Sequence, residues 1–263
     1  MGFKTDGSVH IDGIANEQHL KTKLSNGLAK EIYPDLEDNF YVEQKGGTKF
    51  KQDLEVSDSK MIRKLSAKRK KGINNGSFDY VNSSAAVKQY EVFNSITNTV
   101  KNLRSNPLSV SETRKVFNEA SNKTMKNMTS QQLSNILKEH VNQKNKDITV
   151  VITDSLTNTD YVYHFKDTPL YKAIRDFTPS FKWGSGRTSA SIVFHDGDGN
   201  EYDLGLRGRL VLNNGVNALL GLSNSNASSQ PVFKVQQDSV QKMLSGISEL
   251  QAFTNYKIED NNG

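Results

Sequence analysis

Cysteine is missing from all 263 residues, tryptophan occurs once and proline five times. Without cysteine there is no disulfide, no thiolate zinc site, no iron–sulfur cluster and no cysteine nucleophile, and the composition fits a reducing compartment. No apolar run approaches the roughly 20 residues that cross a bilayer. The first 13 residues lack the apolar stretch of a secretory signal. A cytoplasmic protein with no membrane partner is therefore expected. Gly-x-Ser-x-Gly and Gly-x-x-x-x-Gly-Lys-Ser/Thr are both absent, which removes the serine-hydrolase elbow and the ATP phosphate loop. His10, His19, His140, His164 and His195 show no metal-ligand spacing. Asp196-Gly197-Asp198-Gly199-Asn200 opens like a calcium loop, but Arg207 stands where the closing acid belongs, so a hairpin turn is expected.

What is present is a modest excess of positive charge, 34 Lys+Arg against 29 Asp+Glu. Its placement is more telling than its size. Between Lys49 and Lys71 stand Lys49, Lys51, Lys60, Arg63, Lys64, Lys68, Arg69, Lys70 and Lys71, with Asp53, Glu55 and Asp58 set among them. Such a block favours a polyanionic partner. The hydrophobic fraction is only 35%, but 12 Phe and 9 Tyr can seed a core.

Hydrophobic periodicity predicts a helix from an Asn16 cap to about Ile32, with Leu20, Leu24, Leu28 and Ile32 on one face. Strands are expected at Phe40–Gln44, Phe50–Val56 and Met61–Lys68. Helices are expected at about Ser84–Leu103, Ser111–Lys123 and Thr129–Gln143, with Ser111 and Thr129 as caps. Strands at Asp147–Thr153 and Asp160–Phe165 and a short helix at Thr168–Phe177 follow. A hairpin comes next, from Thr188–His195 and Glu201–Leu212. After it stand a strand at Val232–Val235 and a closing helix at Ser239–Phe253. The order predicts an α+β fold. Residues 1–166 are expected to form a core with a helical insertion near 105–145, and residues 167–263 a β-rich extension or DNA-clasping lobe. Trp183 in its Gly/Ser-rich stretch is expected either to anchor a loop or to stack on a base, and Arg207 and Arg209 to face phosphates or solvent.

Alternation along a strand places Lys51, Asp53 and Glu55 on one face and Leu54 and Val56 on the other. On the next strand Ile62, Lys64, Ser66 and Lys68 share a face. If the two strands pair antiparallel, Asp53 and Lys68 converge. Carboxylates beside a lysine in a basic stretch suit metal-assisted phosphodiester hydrolysis. Carboxylate oxygens hold Mg²⁺ with few protein ligands, and lysine stabilises the charge that develops on phosphate. Taken singly, an Asp-x-Glu strand is an ordinary solvated face.

The run Gly46-Gly47-Thr48-Lys49-Phe50-Lys51-Gln52-Asp53-Leu54-Glu55-Val56, followed by Leu65-Ser66-Ala67-Lys68, resembles the PD-(D/E)XK nuclease superfamily. More narrowly, it is similar to phage and restriction-type members that place a Gly-Thr/Ser-Lys-x-x-Asp segment before a Ser-x-Lys strand. Lys70-Lys71-Gly72 and Asn75-Gly76-Ser77-Phe78-Asp79-Tyr80 extend the pattern, and the resemblance covers about residues 16–104. It implies a restriction-endonuclease-like mixed central sheet flanked by helices, dependence on Mg²⁺ or Mn²⁺, and cleavage of DNA to a 5′-phosphate. It makes Asp53 a metal-binding acid and Lys68 the catalytic lysine, with Lys49, Lys51, Arg69, Lys70 and Lys71 on the nucleic-acid backbone. The superfamily usually carries an acid two residues before the lysine, where this chain has Ser66. Glu55 is then the first candidate for the second acid and Glu31 the next, with Asp79 and Glu91 further downstream.

Restriction-type relatives are commonly symmetric homodimers, although this sequence shows no dimer seam. If the chain is phage-encoded, its place is the host cytoplasm. Two other readings stay open: a catalytically inactive nucleic-acid-binding module, and a phage-type structural or assembly protein.

Overall fold

The computed structural model describes residues 8–45, 52–70, 78–184, 189–222 and 229–254. The chain runs α1 (Ser8–Lys23), a π turn (Leu24–Leu28), α2 (Ala29–Ile32), β1 (Tyr41–Gln44), β2 (Leu54–Ser57), β3 (Ile62–Lys70) and β4 (Phe78–Ser83). Helices α3 (Ser84–Gln89), α4 (Asn94–Ser105), α5 (Val110–Lys126), α6 (Ser130–Leu137) and α7 (Gln143–Asn145) follow. Then come β5 (Ile148–Asp154), β6 (Thr159–His164), α8 (Pro169–Asp176), β7 (Thr178–Trp183), β8 (Ala190–His195) and β9 (Glu201–Leu212). The order ends with α9 (Gly215–Leu219), β10 (Pro231–Gln237), α10 (Val240–Leu244) and β11 (Gln251–Thr254). The fold is α+β, with one mixed six-stranded sheet and one antiparallel five-stranded sheet. No helix among the described residues is long and apolar enough to cross a membrane.

These elements form two compact units. One gathers residues 1–76, 144–171 and 243–263; the other gathers 77–143 and 172–242. The sequence suggested a single division at residue 166. The chain instead leaves the first unit after β3, returns for β5 and β6, leaves again and comes back to add β11.

In the first unit the strand order is β1-β2-β3-β5-β6-β11. β1, β2 and β3 form an antiparallel meander, and β5 lies parallel to β3. β6 and β11 continue antiparallel. Leu54, Val56, Leu65, Ala67, Val151 and Val162 turn one face of this sheet toward Leu20, Leu24, Leu28 and Ile32. The predicted four-residue leucine stripe is therefore the inner face of the helical layer. The helix begins at Ser8, and Asn16 is buried inside it rather than capping it. Near its end Gly27 sits at φ 116°, a conformation readily open only to glycine, and this bends α1 into α2.

A buried ion pair ties α1 to the sheet. Lys23 Nζ lies 2.6 Å from Asp160 Oδ2, with side-chain exposures of 1% and 0%. Thr153 donates to the other Asp160 oxygen at 2.7 Å. Burial and the neighbouring Lys23 charge hold the His19 imidazole below its ordinary pKa. At the other end of β3, buried Arg63 bridges Asp58 and Asp35, each at 2.9 Å, and lies over the Tyr33 ring. The Tyr33 hydroxyl donates to Thr149, and burial pushes its pKa up to about 12.

In the second unit the sheet order is β4-β10-β9-β8-β7, antiparallel throughout. Phe93 and Phe233 meet in its core at 5.4 Å between centroids. Gly208 is required by close packing: a Cβ there would come within 2.8 Å of the Phe181 ring. α5 and α6 each start on a capping box, Ser109 with Glu112 and Thr129 with Gln132. Ser109 thus replaces the expected Ser111, because it alone stands three residues before a glutamate.

Three strands differ from the sequence expectation. β4 and β7 were not expected as strands, and β11 falls inside the expected closing helix. That helix stops at Leu244; β11 then pairs with β6 and half-buries Phe253 against the first unit's core. The expected Ser84–Leu103 helix is interrupted by a 3₁₀ turn at Glu91–Phe93.

Lys23→Met is expected to cost about 3–5 kcal/mol, because it leaves the buried Asp160 without its cation; adding Asp160→Asn should recover part of the loss in urea denaturation. A pH dependence follows from Asp58. The Met61 amide first, aided by the Lys60 amide and the Arg63 guanidinium, holds its carboxyl well below the usual range. Stability from a depressed carboxyl is full above the unfolded value, about 3.9, and is lost as pH falls toward the folded one. The Tm gap between wild type and Asp58→Asn should be flat above about pH 5 and narrow below about pH 4. A gap independent of pH would contradict this account.

Candidate functional site

The β2–β3 register determines which side chains meet. Leu54 pairs with Leu65 and Glu55 with Lys64, and the Asp53 amide donates to the Leu65 carbonyl at 2.9 Å. Leu54, Val56 and Leu65 are fully buried on the helix-facing side. Alternation then forces Asp53, Glu55, Lys64, Ser66 and Lys68 to the opposite side.

Asp53 Oδ2 is the hub. It accepts from Ser66 Oγ at 2.9 Å, from the Ala67 amide at 2.8 Å and from Lys68 Nζ at 3.4 Å. The Ala67 bond has a backbone cause: β2 begins at Leu54, so the Asp53 carboxylate stands where a strand carbonyl would otherwise pair. Asp53 Oδ1 has no partner among the described residues. The Asp53 and Lys68 side chains are 21% and 31% exposed, open enough to meet a ligand and enclosed enough to be held. The sequence-predicted convergence of Asp53 with Lys68 is present in the geometry.

Glu55 lies on the same face but is already engaged. Gln52 Nε2 donates to its Oε1 at 2.6 Å, and Lys45 Nζ lies 3.5 Å from its Oε2. Lys45 also holds Glu43, which stands opposite Glu55 on β1. Lys45 therefore screens two carboxylates that would otherwise repel. Lys45 and Gln52 escaped the sequence reading. The signal was available, since continuing the β1–β2 register by one residue sets Lys45 opposite Asp53, and the Lys45 amide donates to the Asp53 carbonyl at 2.9 Å.

Glu31 is exposed on α2, whose neighbouring residues pack on the leucine face, so the fold sets it on the other side of the sheet from Asp53. Glu91 and the Asp79 position belong to the second unit. Arg69 alternates with Lys68 and stands on the helix-facing side, where its charge reaches His19. Of the expected backbone-binding cations, Lys49, Lys51 and Lys71 lie outside the described residues, as does the side chain of Lys70. Lys64, not singled out from sequence, is exposed on the Asp53 face.

Among the described residues no three His, Asp or Glu side chains gather to hold a metal ion. An all-protein cage is thus not formed there. Mg²⁺ needs less: one or two carboxylates, with substrate phosphate and water completing the shell. Asp53, with one oxygen unpartnered among the described residues, and Glu55 on the same face are hard oxygen donors of that type.

Other sequence features settle into structural roles. Asp196 closes the β8–β9 turn, accepting from Asn200, Asp198 and Tyr202; the Asn200 side chain above all keeps its pKa down to about 2. Trp183 is on strand β7 rather than in a loop, with Lys126 Nζ 5.5 Å from its ring centroid. Arg207 pairs with Asp238.

Comparisons with protein-family models, with curated proteins and with solved structures return no match to this chain.

Asp53→Ala should cost about 1–2 kcal/mol, because it leaves the Ala67 amide unpaired; Asp53→Asn, which keeps an acceptor there, should cost less. Urea denaturation of both variants checks the backbone role separately from any chemistry.

Proposed function

We propose that the chain is a Mg²⁺- or Mn²⁺-dependent endonuclease acting on DNA, as the resemblance to the PD-(D/E)XK superfamily implies. The observation that carries this reading is the Asp53 carboxylate joined to Ser66 and Lys68 across two adjacent strands, with its second oxygen unpartnered among the described residues. In this reading Asp53 and Glu55 would hold the metal ion, and the Lys45 contact of Glu55 would have to be given up. When bound, the ion supplies charge neutralisation at the phosphate and a more acidic water.

The residues divide the work. A water oxygen attacks phosphorus in line with the leaving 3′-oxygen; the new P–O bond forms as the P–O3′ bond breaks. A 5′-phosphate and a 3′-hydroxyl result. Lys68 stabilises the negative charge gathering on the phosphoryl oxygens and orients the attacking water. Ser66 and the Ala67 amide fix the Asp53 carboxylate, so its free oxygen keeps one direction. Lys64 stands on the same face and attracts the DNA backbone.

A second reading, a nucleic-acid-binding module that does not cut, is favoured by one observation. Ser66 occupies the place where the superfamily usually has an acid, and both Glu55 oxygens are already engaged, by Gln52 and by Lys45.

The test is a cleavage assay on supercoiled plasmid and linear duplex with Mg²⁺, Mn²⁺ or EDTA. Wild type should give metal-dependent products. Asp53→Ala should abolish them, and Lys68→Ala should slow them about 10²–10³-fold. A folded wild type that binds DNA with salt sensitivity yet never cuts overturns the nuclease and leaves the binding module. Cleavage that persists in both variants refutes this active site.

A further inference from the structure

The second unit carries a pocket that the nuclease reading does not use. It has a volume of about 280 Å³ and lies between α5 and the end of β9, with α9 at its margin. The helix contributes Arg114, Asn118, Ser121 and Asn122. These positions repeat at four, three and one, so a single face of α5 presents them together. β9 contributes Arg209.

Three features give the pocket a chemical sign. Its lining contains two arginines and no carboxylate. Neither arginine has an acidic partner among the described residues, whereas Arg63, Arg175 and Arg207 each do. The residue opposite Arg209 in the β9–β10 ladder is Lys234 rather than an acid. A cationic concavity of this kind is short of negative charge.

The polar groups point the same way. Ser121 is 5% exposed, yet its hydroxyl has no hydrogen-bond partner, and Arg209 Nε is also buried without one. Buried polar groups are nearly always paired, so two orphans at one pocket indicate a missing partner. Guanidinium groups prefer planar, bidentate acceptors such as phosphate, and the two asparagine amides can both donate and accept. The volume lies near the small end of ligand pockets, which run from roughly 300 to 1,000 Å³.

From this we infer that the pocket binds a phosphate monoester no larger than a mononucleotide. Arg114 and Arg209 clamp the phosphate, and Ser121, Asn118 and Asn122 complete its hydrogen bonds. The inference is independent of the proposed nuclease centre, which belongs to the other unit.

The experiment is isothermal titration of the full chain in EDTA, with inorganic phosphate and deoxyadenosine 5′-monophosphate as separate probes. Wild type should bind at least one. Arg114→Gln and Arg209→Gln should each weaken binding about tenfold or more, as expected on losing a charge-assisted hydrogen bond. Ser121→Ala should weaken it less. Tighter binding of the mononucleotide identifies a nucleotide site; equal binding identifies a phosphate site; both support the inference. Arg114 is exposed on its helix, so Arg114→Gln retains the fold even if Arg209→Gln does not. No binding of either probe to wild type, or an unchanged affinity in Arg114→Gln, overturns it.

Discussion

Leu54 paired with Leu65 is the contact on which the candidate site depends. Both side chains are completely buried against the leucine stripe of the N-terminal helix. A slip of one residue between β2 and β3 would turn Asp53 and Glu55 into that apolar layer and lift the leucines out of it. Burial of the leucines therefore fixes the register, and the register sets Asp53 beside Ser66 and Lys68. The polar constellation is held by packing on the reverse side of the sheet. Its own hydrogen bonds then refine the geometry.

Asp53 serves two ends at once. Its Oδ2 completes the backbone pairing of β3 at Ala67 and takes the Ser66 and Lys68 contacts, while Oδ1 has no partner among the described residues. A carboxylate tied on one oxygen and open on the other is pre-oriented, and little motion is needed to bind. Glu55 is different. Both its oxygens are engaged, so recruiting it to a metal requires Lys45 to give way.

Much of this was legible in the sequence, for local reasons. Alternating Leu54 and Val56 fixed which face of β2 was apolar, and hence where Asp53 pointed. The four-residue leucine spacing identified the helix face that covers them. Features resting on distant partners were not legible. Lys23 and Asp160 are 137 residues apart, and nothing local marks either as half of a buried pair. β11 is four residues long and becomes a strand because β6 offers it an edge. Arg69 looked like a continuation of the basic block, but one step of alternation sends it to the other face of the sheet. Ser121 and Arg209 became conspicuous only when α5 and β9 came together and left the Ser121 hydroxyl and Arg209 Nε buried without hydrogen-bond partners.

The measurement that bears most directly on the account is a Mn²⁺ titration followed by electron paramagnetic resonance, on wild type, Asp53→Asn and Lys68→Ala, each verified as folded. The account predicts saturable Mn²⁺ binding in wild type, its loss in Asp53→Asn and its retention in Lys68→Ala, because the proposed role of the lysine is toward phosphate and water rather than toward the ion. Undiminished binding in Asp53→Asn would contradict it and remove the metal centre from this face of the sheet.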